Sequence, residues 1–234
     1  MPILVLLAAI AFALSPLLAP DFGGFDANQF PIAQVDPPVQ PAGYAFAIWG
    51  LIYLLLIVGA VYGAWQRRQD AGWAEMRVPL LLSLAVGAAW LPVAVTSVIW
   101  ATILIWIMWG FAIWAVLRAP KGSGADAWLG RMPVALYAGW LTAASCVSLG
   151  LMAAGYGLIG EVPAALIALG LALVLTVIVA RARPDAFGYL AAVIWALIAV
   201  CVQNAQGGAT SVLILAAVGA AALALLGGRN ITRT

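Results

Sequence analysis

Apolar runs of about twenty residues, separated by short charged or Gly/Pro-rich breaks, follow one another along the whole chain. Runs of that length match the thickness of a bilayer core, so each is read as a membrane-spanning helix. They fall at roughly 2–19, 44–66, 78–97, 100–117, 132–154, 162–180, 188–204 and 210–227, which makes eight spans. The breaks alternate in charge. Arg67, Arg68 and Arg77 follow the second run, and Arg118, Lys121 and Arg131 the fourth. Arg181 and Arg183 follow the sixth, and Arg229 and Arg233 the eighth. The intervening breaks carry Asp21, Asp26, Asp36 and Glu161 and no basic residue. Positive charge collects on the cytoplasmic side of membrane proteins, so the pattern predicts a multi-pass protein with both termini in the cytoplasm. Residues 1–19 are read as a retained helix rather than a cleaved signal peptide. No basic stretch precedes the apolar run, although Leu17-Leu18-Ala19 offers a passable cleavage site.

Composition supports this reading. Of 234 residues, 66% are hydrophobic and 8% charged, with a mean hydropathy of +1.12. Such a chain has too little polar surface for a soluble domain, and the prediction is an all-α integral membrane protein with the lipid bilayer as its first partner. Helical spans with this charge bias belong to a cytoplasmic (inner) membrane, not to an outer-membrane β-barrel. The net charge of +2 gives no footprint for nucleic acid. There is no histidine, which removes the commonest general base and metal ligand and the usual haem ligand. No metal site or required cofactor is expected, and no nucleophile–base pair is visible. Cys146 and Cys201 lie inside apolar runs and read as buried free thiols.

Smaller features refine the layout. Pro79, Pro133 and Pro163 are placed at span starts, where a missing N–H costs nothing, while Pro16 and Pro92 are expected to bend their spans. Gly59 and Gly63 form a small-xxx-small pair that lets a neighbour approach. Glu161 suits the positive end of a helix start, Gln203 and Asn204 are expected to satisfy backbone groups where the seventh span ends, and Asp36 reads as a loop charge or latch. Ten of the eleven tryptophans lie between Trp49 and Trp140. That shift divides the chain into an aromatic five-helix part, 1–157, and a plainer three-helix part, 158–234. Trp65, Trp73, Trp100 and Trp128 are expected at the membrane interface, and Trp106, Trp109 and Trp114 are too spread to form one face. Trp90 and Trp140 lie mid-span beside Ala88, Ala89 and Gly139, where either helix packing or a pocket wall would use the space. Trp49 and Tyr53 share one helix face, one turn apart, as interface anchors or as a stacking surface.

The run Pro37-Pro38…Phe46…Ile48-Trp49-Gly50-Leu51-Ile52-Tyr53, followed by Gly59, Tyr62 and Trp65, resembles the second helix of the translocator protein family. This family is also known as tryptophan-rich sensory proteins or peripheral benzodiazepine receptors. Ala89-Trp90-Leu91-Pro92 and Tyr137-Ala138-Gly139-Trp140-Leu141 resemble segments of its third and fifth helices. The resemblance covers about residues 1–157. It implies a five-helix bundle whose pocket opens toward the loop between the first two helices, here 20–43, with three further transmembrane helices added. It also implies a hydrophobic ligand, tetrapyrrole-like, against Trp49, Tyr53, Trp90, Tyr137 and Trp140. Asp36, Pro37, Pro38 and Pro41 would belong to a stiff lid, and a homodimer is the expected assembly. Gly87-Ala88 depart from the family's Asn-Trp, which removes a polar contact and an aromatic wall. Ser145, Cys146 and Ser148 stand where an Asn-Tyr is common.

These readings imply a membrane receptor or sensor for a porphyrin-like ligand. A transporter or facilitator of an apolar molecule is the alternative, supported by a faint echo between Gly43–Ile52 and Gly188–Ile198. It is opposed by the lack of a mid-span charge. A scaffold or assembly subunit is a third reading, and an enzyme acting on bound pigment by photochemistry a fourth, for which no residue asks.

Overall fold

The computed structural model describes residues 1–18 and 22–231; Asp21 and Arg233, assigned above to opposite sides, lie outside the described residues. The described chain is helical throughout: α1 (Pro2–Leu14), α2 (Ile48–Trp65), α3 (Ala71–Ala94), α4 (Val98–Arg118), α5 (Met132–Gly155), α6 (Glu161–Ala182), α7 (Phe187–Ala205) and α8 (Thr210–Ile231). Seven elements are long and apolar enough to cross a membrane; the first, Pro2–Leu17, is shorter. A 3-10 turn at Ser15–Leu18 extends α1. At about 1.5 Å per α-helical and 2 Å per 3-10 residue the pair reaches roughly 28 Å, close to a hydrocarbon core.

The largest departure from the predicted layout is α3. It begins at Ala71 rather than near residue 78, because the Asp70 carboxylate accepts the Trp73 N–H at 3.0 Å and caps it. Glu75 and Arg77 are helical, although a charged pair reads as a break in hydropathy, and Pro79 lies well inside the helix rather than at its start. Trp73, expected at the interface, is instead buried. Its ring lies on Gly63 and Gly130, and its indole donates to Asp126 at 3.0 Å. Trp65, Trp100 and Trp128 are exposed.

α5 is the central column, packing on α2, α4, α6 and α7. Small residues bring the neighbours in: a Cβ at Gly139 would collide with the Tyr189 carbonyl of α7, and one at Gly59 with the Leu129 carbonyl. Hydroxyls tie the layers. Thr142 donates to Ala138 C=O at 2.9 Å, so its oxygen accepts from both the Trp109 indole (2.9 Å) and the Tyr189 hydroxyl (2.7 Å). Ser83 donates to Met108 C=O at 2.8 Å, which leaves Tyr137 to donate to Ser83 at 2.9 Å. Interhelical bonds of this kind contribute about 0.6 kcal/mol each on average.

At the basic end the loops are closed by arginines that are themselves buried. Arg183 donates to Val116 C=O and, at 3.1 Å, to Leu117 C=O, so a cation covers the negative end of α4. Arg131 donates to Pro120 C=O at 2.7 Å and Gly122 C=O at 3.1 Å. Both pair with Asp185, at 3.4 Å from Arg131 and 2.9 Å from Arg183. Arg77 reaches back to the carbonyls of Gly63 and Arg67, and Arg67 pairs with Asp126 at 2.8 Å. The charge pattern shows that these cations share a side; it does not show that they leave water.

Burial alone would raise the Asp185 carboxyl, but hydrogen bonding to Arg183, with the charges of Arg183 and Arg131, holds it below the usual carboxylate range. A depressed folded pKa gives stability that is complete above the unfolded value of about 3.9 and is lost as pH falls through the folded value. Unfolding of the detergent-solubilised protein, followed by tryptophan fluorescence, should therefore be flat from neutrality to about pH 4 and weaken below it. Asp185→Asn should flatten part of that acid limb and cost about 1–3 kcal/mol at pH 7, because two buried guanidinium groups lose their shared, partly exposed acceptor.

Candidate ligand cavity at the acidic end

At the opposite end, residues 22–47 cross the bundle before entering α2. Their backbone is tied to the helices they cover: Gln29 donates to Ala94 C=O at the end of α3 (3.0 Å), and Ile32 N–H to Gly155 C=O at the end of α5 (2.9 Å). On α7, Asn204 donates to Pro38 C=O at 2.9 Å, Ala42 N–H donates to Ala199 C=O at 3.1 Å, and the Trp195 indole donates to Ala45 C=O at 3.0 Å. Asn204 also accepts Ala209 N–H at 3.0 Å, so it satisfies backbone as its position at the end of the seventh span predicts.

Beneath this cover lies a cavity of about 230 Å³ between α1, α2, α3, α4 and α5. Its walls include Phe12, Trp49, Tyr53, Trp90, Met108 and Leu141, and Ser15 and Tyr53 bring hydroxyls. A second lobe of about 60 Å³ adjoins it, lined by Trp140, Pro41, Ala143 and Ala196 among others. Phe22, Phe46, Trp90 and Ile105 line both lobes. Among the described residues, no Asp, Glu, Lys or Arg lines either.

The rings form one connected nest. Trp49 and Tyr53 stack at 5.4 Å with 18° between planes, as a one-turn spacing on α2 allows. Phe12 meets Trp49, Tyr53 and Tyr137 at 5.7, 5.1 and 5.7 Å, edge to face. Trp140 stands edge-on to Trp49 at 6.2 Å and to Phe46 at 5.9 Å. The Trp90 indole donates to Ala101 C=O at 2.8 Å, which fixes its ring as a wall.

Of the residues singled out from the sequence, Trp49 and Tyr53 line the larger lobe, Trp140 the smaller, and Trp90 both. Tyr137 is fully buried behind Phe12, with its hydroxyl given to Ser83. Pro41 lines the smaller lobe, Pro37 and Pro38 are buried near α7, and Asp36 is exposed with a left-handed φ of 49°. Phe22 and Phe25, absent from the sequence reading, are the loop rings that meet Trp90, at 5.4 and 6.4 Å. Phe12 is the other omission. Its ring lies against Gly87, where the sequence suggests a lost polar contact, next to Ala88, where it suggests a lost aromatic wall. A ring drawn from α1 occupies that space, and the only local signal is the lack of a side chain at residue 87.

A family model described as TSPO-like protein matches residues 3–228. The chain belongs to the TSPO-like family. The match extends past residue 157, where the sequence resemblance stops, and takes in α6–α8. No curated protein and no solved structure matches the chain. With its seven long apolar helices, this TSPO-like chain is an integral membrane protein.

Since α7 supplies three of the bonds that hold the loop, Asn204→Ala should loosen it while leaving the helices in place. Hydrogen exchange at Val39, Gln40 and Ala42 should speed up in the variant, with α5 amides unchanged. Stability should fall by about 1–3 kcal/mol, because Pro38 C=O and Ala209 N–H lose their partner.

Proposed function

We propose that this TSPO-like protein is a membrane receptor that binds a hydrophobic, flat ligand of the tetrapyrrole class in the aromatic cavity beneath residues 22–47. One observation carries the reading: a preformed void of about 230 Å³ whose walls are Trp49, Tyr53, Trp90 and Phe12. Ring faces favour a flat apolar body, and the hydroxyls of Tyr53 and Ser15 offer polar contact at its edge. The two lobes together fall just short of the roughly 300 Å³ at which small-molecule pockets begin. A whole macrocycle therefore requires the loop carrying Phe22 and Phe25 to move outward, and its hold on the helix ends makes it the gate. Binding rather than catalysis fits a lining that, among the described residues, offers no nucleophile–base pair and no ionisable group besides a tyrosine. The same uncharged lining weighs against an ion-coupled carrier.

A porphyrin titration on detergent-purified protein, read by tryptophan quenching, tests the proposal. Saturable micromolar binding is expected, weakened about tenfold by Trp49→Leu or Trp90→Leu, each of which removes one ring face. Non-saturable quenching, equal in both variants, would overturn it.

The orientation is proposed from charge: the arginine end and both termini face the cytoplasm, with the chain in a cytoplasmic (inner) membrane. A membrane-impermeant maleimide should label Asp36→Cys on intact cells and Lys121→Cys only after lysis. The reverse pattern would invert the assignment.

A further inference from the structure

Two buried tyrosines of this bundle follow one pattern. Tyr137 donates to Ser83, which donates to Met108 C=O, and Tyr189 donates to Thr142, which donates to Ala138 C=O. In each, the aliphatic hydroxyl spends its proton on a backbone carbonyl and receives the proton of the phenol. All four side chains are enclosed by protein, so both relays end there.

The same parts stand in the wall of the larger lobe. Ser15 is buried and its Oγ donates to Phe12 C=O at 2.7 Å, which leaves its oxygen as an acceptor. Its hydrogen-bonding neighbour is the Tyr53 hydroxyl, and both residues line the void of about 230 Å³. Tyr53 is only partly buried. Among the described residues, the polar atoms sealed without a partner lie on Gln34, Thr102, Trp106 and Trp140, not on Tyr53. Its oxygen is open where those of Tyr137 and Tyr189 are closed.

Counting protons gives the polarity of this point. The pair has two oxygens that accept and one spare proton, that of the phenol, which Ser15 can take as Ser83 and Thr142 do. The lone pairs of Tyr53 are then what faces the void. An anionic edge would meet them with no cation nearby, since among the described residues no Lys or Arg lines this lobe. A capped ether oxygen would meet them unpaired. An O–H or N–H completes the chain.

We infer that the ligand is selected as a neutral hydrogen-bond donor. An O–H or N–H on the rim of its flat body donates to Tyr53 Oη, which donates to Ser15 Oγ, which donates to Phe12 C=O. The inference rests on the cavity reading above and adds the rim group that the flat body carries: an uncapped donor in place of a free acid or an ether. Trp49, stacked on Tyr53, supplies ring surface and takes no part in this selection.

The test uses a porphyrin dimethyl ester with two 1-hydroxyethyl arms and the same compound with both hydroxyls methylated. Each is titrated against the full chain in one detergent by tryptophan quenching. The alcohol-to-ether affinity ratio is compared between the unaltered protein, Tyr53→Phe, Ser15→Ala and Trp49→Phe, so that partitioning into micelles cancels. The alcohol should bind about fivefold more tightly than the ether, the scale of one buried hydrogen bond. Tyr53→Phe keeps the stacked ring and should bring the ratio close to one, whereas a ratio set by the bulk of the methyl group would survive it. Ser15→Ala frees the phenol proton for an incoming oxygen, so the ether should gain and the ratio shrink. Phe12 C=O keeps the backbone N–H of residue 15 in that variant, so α1 retains its end. Trp49→Phe should leave the ratio unchanged. Saturable binding with equal affinities in the unaltered protein would overturn the inference and leave the cavity reading standing. So would a ratio that persists in Tyr53→Phe or Ser15→Ala, or one that Trp49→Phe removes. If neither compound binds saturably, both fall.

Discussion

A helix enclosed on every side within a membrane bundle must satisfy its polar groups from its neighbours, because neither water nor lipid will do so. α5 is under that constraint, and much of the architecture answers it. Thr142 accepts hydrogen bonds from α4 and α7 on one oxygen, and Tyr137 donates one to Ser83 on α3. Gly139 brings the α7 backbone against α5 at the same level. These contacts fix how far α3, α4 and α7 stand from the central column, and hence the width of the cavity that opens above them. The cavity is the space that the hydroxyl-bonded layers leave unfilled toward the acidic end.

The two ends of the bundle solve opposite problems. At the basic end, guanidinium groups of Arg77, Arg131 and Arg183 are drawn out of water and spend their donors on loop and helix-end carbonyls. At the acidic end the carbonyls at the ends of α3 and α5 are met by Gln29 and by the Ile32 N–H. A charged closure is rigid and specific; a closure by neutral amides is weaker and more readily opened. The aromatic void lies under the weaker closure.

Much of the fold can be read from the sequence because hydropathy and charge sign are properties of whole segments. Apolar runs of bilayer length mark the helices, and the alternation of arginines with aspartates orders them. What fails is where a single residue acts against its type. Glu75 and Arg77 look like a break, yet α3 runs through them because Asp70 caps it upstream and Arg77 finds carbonyls. In the site, Trp49 with Tyr53 and the mid-span Trp90 and Trp140 are legible as aromatic clusters beside small residues. Phe12 and Phe22 are not: each meets its partners only after distant segments pack, and nothing around either residue announces it. The drop in aromatic content after residue 157 marks a change in composition, yet Ala196 lines the smaller lobe and Asn204 holds the loop above it.

That last contact bears on the order in which the protein is made. Pro38 and Asn204 are 166 residues apart in the chain. At a synthesis rate of about 5–20 residues per second, roughly ten to thirty seconds separate the emergence of the loop from that of its anchor. During that interval the first five helices can insert and pair, but their mouth has no fastening on the α7 side. The nascent cavity is therefore open to the bilayer until α7 arrives, and the final third of translation is what shuts it.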